Sequence, residues 1–275
     1  MNLVFASGFL LPQHVGPIEY FNGVRELVLA KGHPEPLRHK VPPLADSKTR
    51  SEKLASAIRA HFPAGPIHIV AHSMGGLDSR RLIANHPDLA ARIVSLTMLS
   101  TPNQGSPLAD LLAGDRPSLF SNVAALLSGS FSSLRLGALY DALRAAVAMV
   151  GINIGAVKDL TKKDAAAMPD VATTHRQIAY RSYAASGRVP APPTSKLLAL
   201  SHEYILKARN GGPNDGAVTV ESARYGTFIE TWPCDHLDQV GHDLDNLPLL
   251  ERGDFDHIAK FTEIIDLLQR EHPGT

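Results

Sequence analysis

Residues 67–76 of the chain are IHIVAHSMGG, a short apolar run that ends in a serine and two glycines. The apolar run favours a buried β-strand, and the residues after the glycines have the apolar spacing of a helix. The sequence therefore predicts a strand, a sharp turn and a helix, with Ser73 at the turn. The small residues two before and two after this serine, Ala71 and Gly75, would let strand and helix pack closely enough to hold a strained turn.

Further apolar runs predict the rest of a sheet. We expect strands at 2–6, 93–99, 178–183, 218–220 and 228–232. Because one helix separates the strands at 67–71 and 93–99, neighbouring strands should be parallel. Together with the turn at Ser73, this pattern predicts an α/β-hydrolase fold, a mostly parallel sheet flanked by helices, as a single domain over residues 1–275.

Two other segments predict helices. Thr161 and Asp164 have the spacing of a helix cap, and the apolar residues at 258–268 have the spacing of an amphipathic closing helix. Between about 107 and 155 apolar residues are dense but strand signals are absent. This segment is expected to form a helical lid or cap.

Composition limits the classes of partner. Lys plus Arg and Asp plus Glu each total 27 in 275 residues, so charge favours neither nucleic acid nor a polyanionic ligand. We expect a neutral ester or lipid substrate. No apolar run approaches the roughly 20 residues of a transmembrane helix, which leaves transient contact with a lipid interface as the expected membrane interaction. The sequence sets no oligomeric state.

The start of the chain bears on localisation. Its first apolar stretch has no Lys or Arg before it, which argues against a signal peptide. We expect a cytoplasmic protein if Met1 is the natural start, and a secreted one if a signal peptide has been removed.

The chemistry of Ser73 requires two partners. A serine hydroxyl becomes a nucleophile when a histidine removes its proton, and a carboxylate fixes that histidine and stabilises its charged form. After a strand–turn–helix serine, the carboxylate and then the histidine follow in chain order. Asp215, in the turn Asn214-Asp-Gly216, and His236, in the loop after the strand at 228–232, fit this order.

Alternatives remain for both partners. An Asp-Gly pair is also a common hairpin turn, so Asp215 has a purely structural interpretation. His242 and His257 compete with His236 as the base, although His257 is expected to cap a helix or lie at the surface. His72 is adjacent to Ser73 in sequence, which makes it a poor base, and it is expected to pack against the sheet.

An oxyanion hole needs two backbone N–H donors, one from the residue after the nucleophile and one from the loop after an early strand. These positions are Met74 and Phe9. Gly8 would let the early loop take unusual backbone angles. A turn without function is the alternative for Phe9.

These residues together resemble the bacterial true lipases of the Pseudomonas and Burkholderia type. The likeness covers most of the chain, in separate segments that follow one another in the family's order: the first strand with Gly8-Phe9, then 71–76, 100–106, 159–161 with 165–168, 180–187, 214–216 with 222–224, and 236–238. The resemblance implies a triad of Ser73, Asp215 and His236, an oxyanion hole of Phe9 and Met74, and a lid between about 110 and 155.

The chain departs from that family in three ways. Ser7-Gly8 replaces the family's His-Gly, and the single Cys234 cannot form its disulfide. The resemblance also implies a structural calcium held by the carboxylate at Asp238, but His242 replaces a further ligand, a Gln, and no Asp or Glu lies between residues 170 and 203 to supply the second carboxylate. We therefore predict no metal and no cofactor.

The predicted activity is cleavage of carboxylic esters through an acyl-enzyme on Ser73, by a triacylglycerol lipase or a carboxylesterase. The same catalytic residues would serve a polyester depolymerase or a thioesterase. A catalytically inactive binding module on the same scaffold is the alternative from another class.

Overall fold

A six-stranded parallel sheet positions the candidate site. The computed structural model describes residues 1–8, 14–15, 18–38, 41–42, 45–113, 154–187, 196–208, 211–242 and 255–275. The strands are β1 (Asn2–Ala6), β2 (His14–Val15), β3 (Ile18–Glu19), β4 (Leu37–Arg38), β5 (Ile67–His72), β6 (Ile93–Leu99), β7 (Ala179–Ala185) and β8 (Thr227–Trp232). The sheet has the order β4-β1-β5-β6-β7-β8, and every neighbouring pair in it is parallel. β2 and β3 form a separate antiparallel pair.

Helices cover both faces of this sheet. They are α1 (Val24–Ala30), α2 (Ser47–His61), α3 (Met74–Asn85), α4 (Pro87–Ala90), α5 (Pro107–Ala113), α6 (Ile154–Asp159), α7 (Lys162–Ala166), α8 (Val171–Thr174), α9 (Lys196–Lys207), α10 (Val220–Ala223) and α11 (His257–Glu271). A 3-10 helix spans Asp238–Val240. None of the helices within the described residues is long and apolar enough to cross a membrane.

Strand alternation explains the two layers of core. On β1, Val4 and Ala6 pack on one face with residues of α2 and α3, whereas Leu3 and Phe5 pack on the other face with residues of α1 and α11. A parallel sheet that is buried on both faces leaves ligands only the ends of its strands, and in α/β proteins the site lies beyond the carboxyl ends. The chain segments that follow β1, β5, β6 and β8 therefore lie at the same end of the sheet.

Most of the predicted elements are confirmed. The strands expected at 2–6, 67–71, 93–99, 178–183 and 228–232 correspond to β1, β5, β6, β7 and β8, and the helix after Ser73 is α3. Thr161 caps α7 by accepting the N–H of Asp164, and the closing helix is α11. The sheet is parallel, as expected.

The strand predicted at 218–220 is wrong. The Asp215 carboxylate accepts the backbone N–H groups of Ala217 and Val218, at 3.0 and 2.7 Å, and so bends the chain into a tight turn. Thr219 then caps α10, which begins at Val220. Local side-chain hydrogen bonds thus override the β-propensity of this apolar stretch.

Most of the predicted lid at 107–155 lies outside the described residues, and the lid stays a prediction. The described residues at its two ends form α5 and α6. The residues around α5 are hydrogen-bonded to those that follow α6: Ser106 N–H donates to Leu160 O and Lys162 N–H donates to Asp110 Oδ1, each at 2.9 Å. The segment therefore begins and ends at neighbouring points of the fold.

One buried histidine lies far from the candidate site. His68 lies on β5, is fully buried, and hydrogen-bonds with Ser95 Oγ at 2.8 Å. Burial lowers the pKa of His68 to about 4, and the nearby positive charges of His272 and Arg181 act in the same direction. The folded protein therefore resists protonation at this position.

Replacing His68 with Gln should make the protein less sensitive to acid. A histidine whose pKa falls on folding from 6.5 to about 4 is protonated first in the unfolded state. Stability from this group is complete above pH 6.5 and declines as the pH falls towards 4, by about 1.4 kcal/mol per pH unit. Urea unfolding at about pH 7 and pH 4.5 should show a smaller loss for His68→Gln than for wild type. Equal losses would contradict this account.

Candidate active site

Ser73 occupies a strained turn between β5 and α3. Its backbone has φ 55° and ψ −130°, a conformation that residues with a side chain rarely adopt. Ser73 N–H donates to Leu99 O at 2.9 Å, which ties the turn to β6. A Cβ on Gly75 would overlap the carbonyl oxygen of Ala6. The small residue expected at this position is thus required by the contact between the turn and β1.

The loop after β1 lies directly against Ser73. A Cβ on Gly8 would come within 2.7 Å of Ser73 Cβ and 2.5 Å of Tyr20 Oη. Gly8 does not have a positive φ, so the expectation that it supplies unusual backbone angles is wrong. A glycine is needed here because the backbone must approach Ser73 closely.

Asp215 and His236 are joined by two hydrogen bonds. His236 Nδ1 lies 2.8 Å from Asp215 Oδ2, and His236 N–H donates to Asp215 O at 2.9 Å. Asp215 is fully buried, whereas His236 and Ser73 keep exposed fractions of 8% and 9%. Because Nδ1 is engaged by the carboxylate, Nε2 is the ring nitrogen left to exchange a proton.

The charge balance of this pair favours the ionic forms that catalysis needs. Burial alone would lower the pKa of His236, but the charge and hydrogen bond of Asp215 outweigh it and raise that pKa above its ordinary value. Burial alone would raise the pKa of Asp215, yet His236 and the N–H of Val218 hold it below its ordinary value. The carboxylate therefore stays charged and stabilises an imidazolium.

The competing histidines are engaged elsewhere. His242 Nε2 hydrogen-bonds with Tyr20 O at 2.9 Å, and His257 Nε2 with Asn22 O at 2.7 Å. His257 is buried, so the expectation of a surface position is wrong, although it does stand at the first position of α11. His72, as expected, packs inside the fold, at the end of β5.

Two side chains that the sequence did not reveal support the carboxylate. Gln239 Nε2 donates to Asp215 Oδ2 at 3.1 Å and to Ser100 Oγ at 2.8 Å. Ser100 follows β6, has a positive φ of 42°, and is linked to the Asp215 carboxylate through Gln239. Gln239 lies only three residues after His236, but no local pattern marks it, because its partners come from other parts of the chain.

A buried arginine connects the loop after β1 to the helix after Ser73. Arg50 is fully buried and donates through Nη2 to the carbonyl oxygens of Ser7 and Gly8, at 2.6 and 3.1 Å. Its Nε donates to Asp78 Oδ2 on α3 at 2.8 Å. Three carbonyl or carboxylate partners thus fix the loop relative to α3.

The structure describes one of the two predicted oxyanion-hole residues. Met74 is the first residue of α3, where a helix N–H has no intrahelical acceptor and the helix dipole favours negative charge. Phe9 lies outside the described residues. Its role stays a prediction, and so does that of Met74.

Comparison with known proteins agrees with this architecture. Residues 49–175 match the family described as alpha/beta hydrolase fold. A mature lipase from Bacillus licheniformis superposes with a TM-score of 0.66 over 97% of this chain and 91% of its own, at 20% identity. A metagenomic carboxyl esterase superposes with a TM-score of 0.71 over 99% of this chain and 76% of its own, at 19% identity. The chain has the α/β-hydrolase fold.

Two sequence relatives are named as triacylglycerol lipases. Triacylglycerol lipase 2 of Saccharomyces cerevisiae is 29% identical over 231 residues, which are 81% of this chain and 62% of the yeast protein. The triacylglycerol lipase of Pseudomonas fragi is 29% identical over 264 residues, 87% of each chain. The chain therefore spans less than two thirds of the yeast relative and most of the bacterial one.

The calcium ligands that the resemblance implies do not assemble into a site within the described residues. Asp238 Oδ2 accepts the backbone N–H of Asp235 at 3.0 Å, and the His242 ring hydrogen-bonds with Tyr20 O at 2.9 Å. No group of three His, Cys, Asp or Glu side chains in this part of the chain could hold a metal ion. These residues do not fit a calcium ion, and the absence of a metal stays a prediction.

Changing Asp215 to Asn should lower turnover by about 10³- to 10⁴-fold, because an amide cannot stabilise the charged imidazole or fix its tautomer. The loss of that charge should also lower the pKa of His236 and move the acid limb of the activity profile to lower pH. Steady-state hydrolysis of a p-nitrophenyl ester between about pH 5 and 9 measures both effects.

Asp235→Asn is the matched control. Asp235 lies in the same loop as His236, and its Oδ1 accepts the N–H groups of Leu237 and Asp238, a role that an Asn oxygen can keep. We expect this variant to retain most of its turnover. If Asp235→Asn were inactive and Asp215→Asn behaved as wild type, the carboxylate would be misassigned.

Proposed function

We propose that this protein is a serine hydrolase of carboxylic esters, a triacylglycerol lipase or a carboxylesterase. Two hydrogen bonds between Asp215 and His236 carry the proposal. They lie beyond the carboxyl ends of the strands, where Ser73 occupies a strained strand-to-helix turn. The fold and the lipase relatives support the same reaction class.

In the proposed mechanism His236 acts first as base and then as acid. Its Nε2 takes the Ser73 proton as Oγ attacks the ester carbonyl, and Asp215 stabilises the imidazolium that forms. The backbone N–H groups of Met74 and Phe9 stabilise the oxyanion. The same proton then passes to the leaving alcohol, and water attacks the acyl-enzyme by the reverse sequence to release the acid.

We further propose that the enzyme is of the bacterial true-lipase type found in Pseudomonas and Burkholderia. The family's segments occur in order along most of this sequence, and the Pseudomonas fragi relative aligns over 87% of both chains. The altered loop at Ser7 and the absence of a second cysteine are departures within that type. The proposed substrate is an ester with an apolar acyl chain.

Ser73→Ala should abolish ester hydrolysis while leaving the fold intact. We expect turnover to fall by at least about 10³-fold, because the nucleophile is lost, and labelling by a fluorophosphonate probe to disappear. Ser56→Ala, on the exposed side of α2, is the matched control and should keep both turnover and labelling. Normal turnover in folded Ser73→Ala would reject the mechanism. An unlabelled wild type would favour a binding module.

Turnover should rise steeply when an ester substrate passes its solubility limit. An apolar cover over the nucleophile exposes apolar surface when it opens, and a lipid interface stabilises that surface. Hydrolysis of tributyrin, measured by pH titration below and above saturation, tests this expectation for a lipase. Simple saturation kinetics through the solubility limit would instead identify a carboxylesterase.

A further inference from the structure

We propose that Tyr20 and His72 form a neutral hydrogen-bonded pair that positions the imidazole of His236. The inference rests on the proposed function, since it concerns the base of that reaction. Neither residue belongs to the predicted triad or to the oxyanion hole. Both are buried, so they are positioning residues that act through His236.

The pair contacts two parts of the candidate site. Tyr20 Oη lies 2.7 Å from His72 Nδ1, and the same hydroxyl stands so close to Gly8 that a Cβ there would come within 2.5 Å of it. On its other side the His72 ring packs on the His236 ring, with centroids 4.5 Å apart and planes tilted by 41°. The loop beside the nucleophile and the base are thus connected through two side chains.

The contact with Tyr20 engages one ring nitrogen of His72. Tyr20 Oη and His72 Nδ1 lie 2.7 Å apart, whereas His72 Nε2 has no hydrogen-bond partner among the described residues. Within that part of the chain the ring of His72 is therefore held by the Tyr20 hydroxyl and by packing, so that loss of the hydroxyl leaves packing alone to hold it.

His72 stays neutral in the folded protein. Burial lowers its pKa well below the ordinary value, and the charge of His236 acts in the same direction. The titratable groups that act electrostatically on the two rings come from different elements: Asp215 from the loop before α10, Asp235 from the loop of His236, and His242 after the 3-10 helix. The face of a neutral ring attracts the imidazolium form of His236 and adds no positive charge that would oppose it.

The backbone around Tyr20 fastens the rest of the His236 loop. Tyr20 O accepts from His242 Nε2 at 2.9 Å. Asn22 donates through its backbone N–H to Val240 O and through Nδ2 to Gly241 O, each at 3.0 Å. The segment that supplies the Tyr20 hydroxyl therefore also holds the chain that follows the base, so the ring of His72 and the loop of His236 share one support.

Four variants test the roles of ring and hydroxyl separately. Tyr20→Phe removes the hydrogen bond and keeps both rings. His72→Asn keeps an acceptor for Tyr20 and removes the ring, whereas His72→Phe keeps a ring and removes the acceptor. The matched control is His68→Gln, since His68 is a second buried histidine on the same face of β5, about 13 Å along the strand. Each protein is first checked by circular dichroism and thermal unfolding.

We expect kcat to fall by about 3- to 30-fold in His72→Asn and by less in Tyr20→Phe, with KM changed by less than about twofold. The acid limb of the kcat profile should move to lower pH by about 0.5 to 1 unit in His72→Asn, because the imidazolium loses a stabilising ring. His72→Phe should keep more activity than His72→Asn. Adding Tyr20→Phe to His72→Phe should have no further effect on kcat, because the hydrogen bond is already absent.

Unchanged kcat in both folded Tyr20→Phe and folded His72→Phe would overturn the inference, even if His72→Asn fails to fold. An equal shift of the acid limb in His68→Gln would also overturn it, since the effect would then belong to any buried histidine of β5. These outcomes require a wild type that a fluorophosphonate probe labels at Ser73. A wild type that is not labelled would reject the proposed function itself.

Discussion

The backbone of Ser73, at φ 55° and ψ −130°, costs on the order of 1–3 kcal/mol, and the candidate site exists because packing holds that conformation. The pairing of Ala6 with Ala71 brings the end of β1 beside the turn, where the carbonyl of Ala6 fills the space that a side chain on Gly75 would need. The hydrogen bond from Ser73 to Leu99 joins β6 to the same point. The register of the sheet and the geometry of the turn therefore depend on each other. A shift of β1 or β6 by one residue would remove the contacts that hold the Ser73 backbone in its strained conformation.

The candidate site also depends on buried charged side chains whose partners compensate their charge. The Asp215 carboxylate is fully buried and accepts four hydrogen bonds, from two backbone N–H groups, His236 and Gln239. Arg50 has no exposure either, and it is neutralised by Asp78 while it donates to the carbonyl groups of the loop after β1. Removing one member of such a set leaves an uncompensated charge, so the same contacts that stabilise the ions also fix the geometry around Ser73.

The sequence predicted those features that local patterns encode. The strand, turn and helix around Ser73 were found from ten residues, and chain order was enough to select Asp215 and His236, which the structure brings within 2.8 Å. Supporting residues were missed because their partners are distant in the chain: Gln239 is 24 residues from Asp215, Arg50 is 42 from Gly8, and Tyr20 is 52 from His72. The strand wrongly predicted at 218–220 shows the converse, since there a side chain from a few residues earlier decided the backbone.

The polar groups packed around His236 differ in charge in a way that suits a base. Asp215 is the charged side chain that hydrogen-bonds to the ring, whereas His72 and Gln239, which pack against the pair, are neutral. Asp235 adds a second negative charge that also raises the pKa of His236, while its carboxylate accepts N–H groups of its own loop. A positive charge against the ring would oppose that rise. Neutral side chains such as His72 and Gln239 can therefore orient the imidazole without opposing it, which leaves the carboxylates as the main cause of the raised pKa of His236.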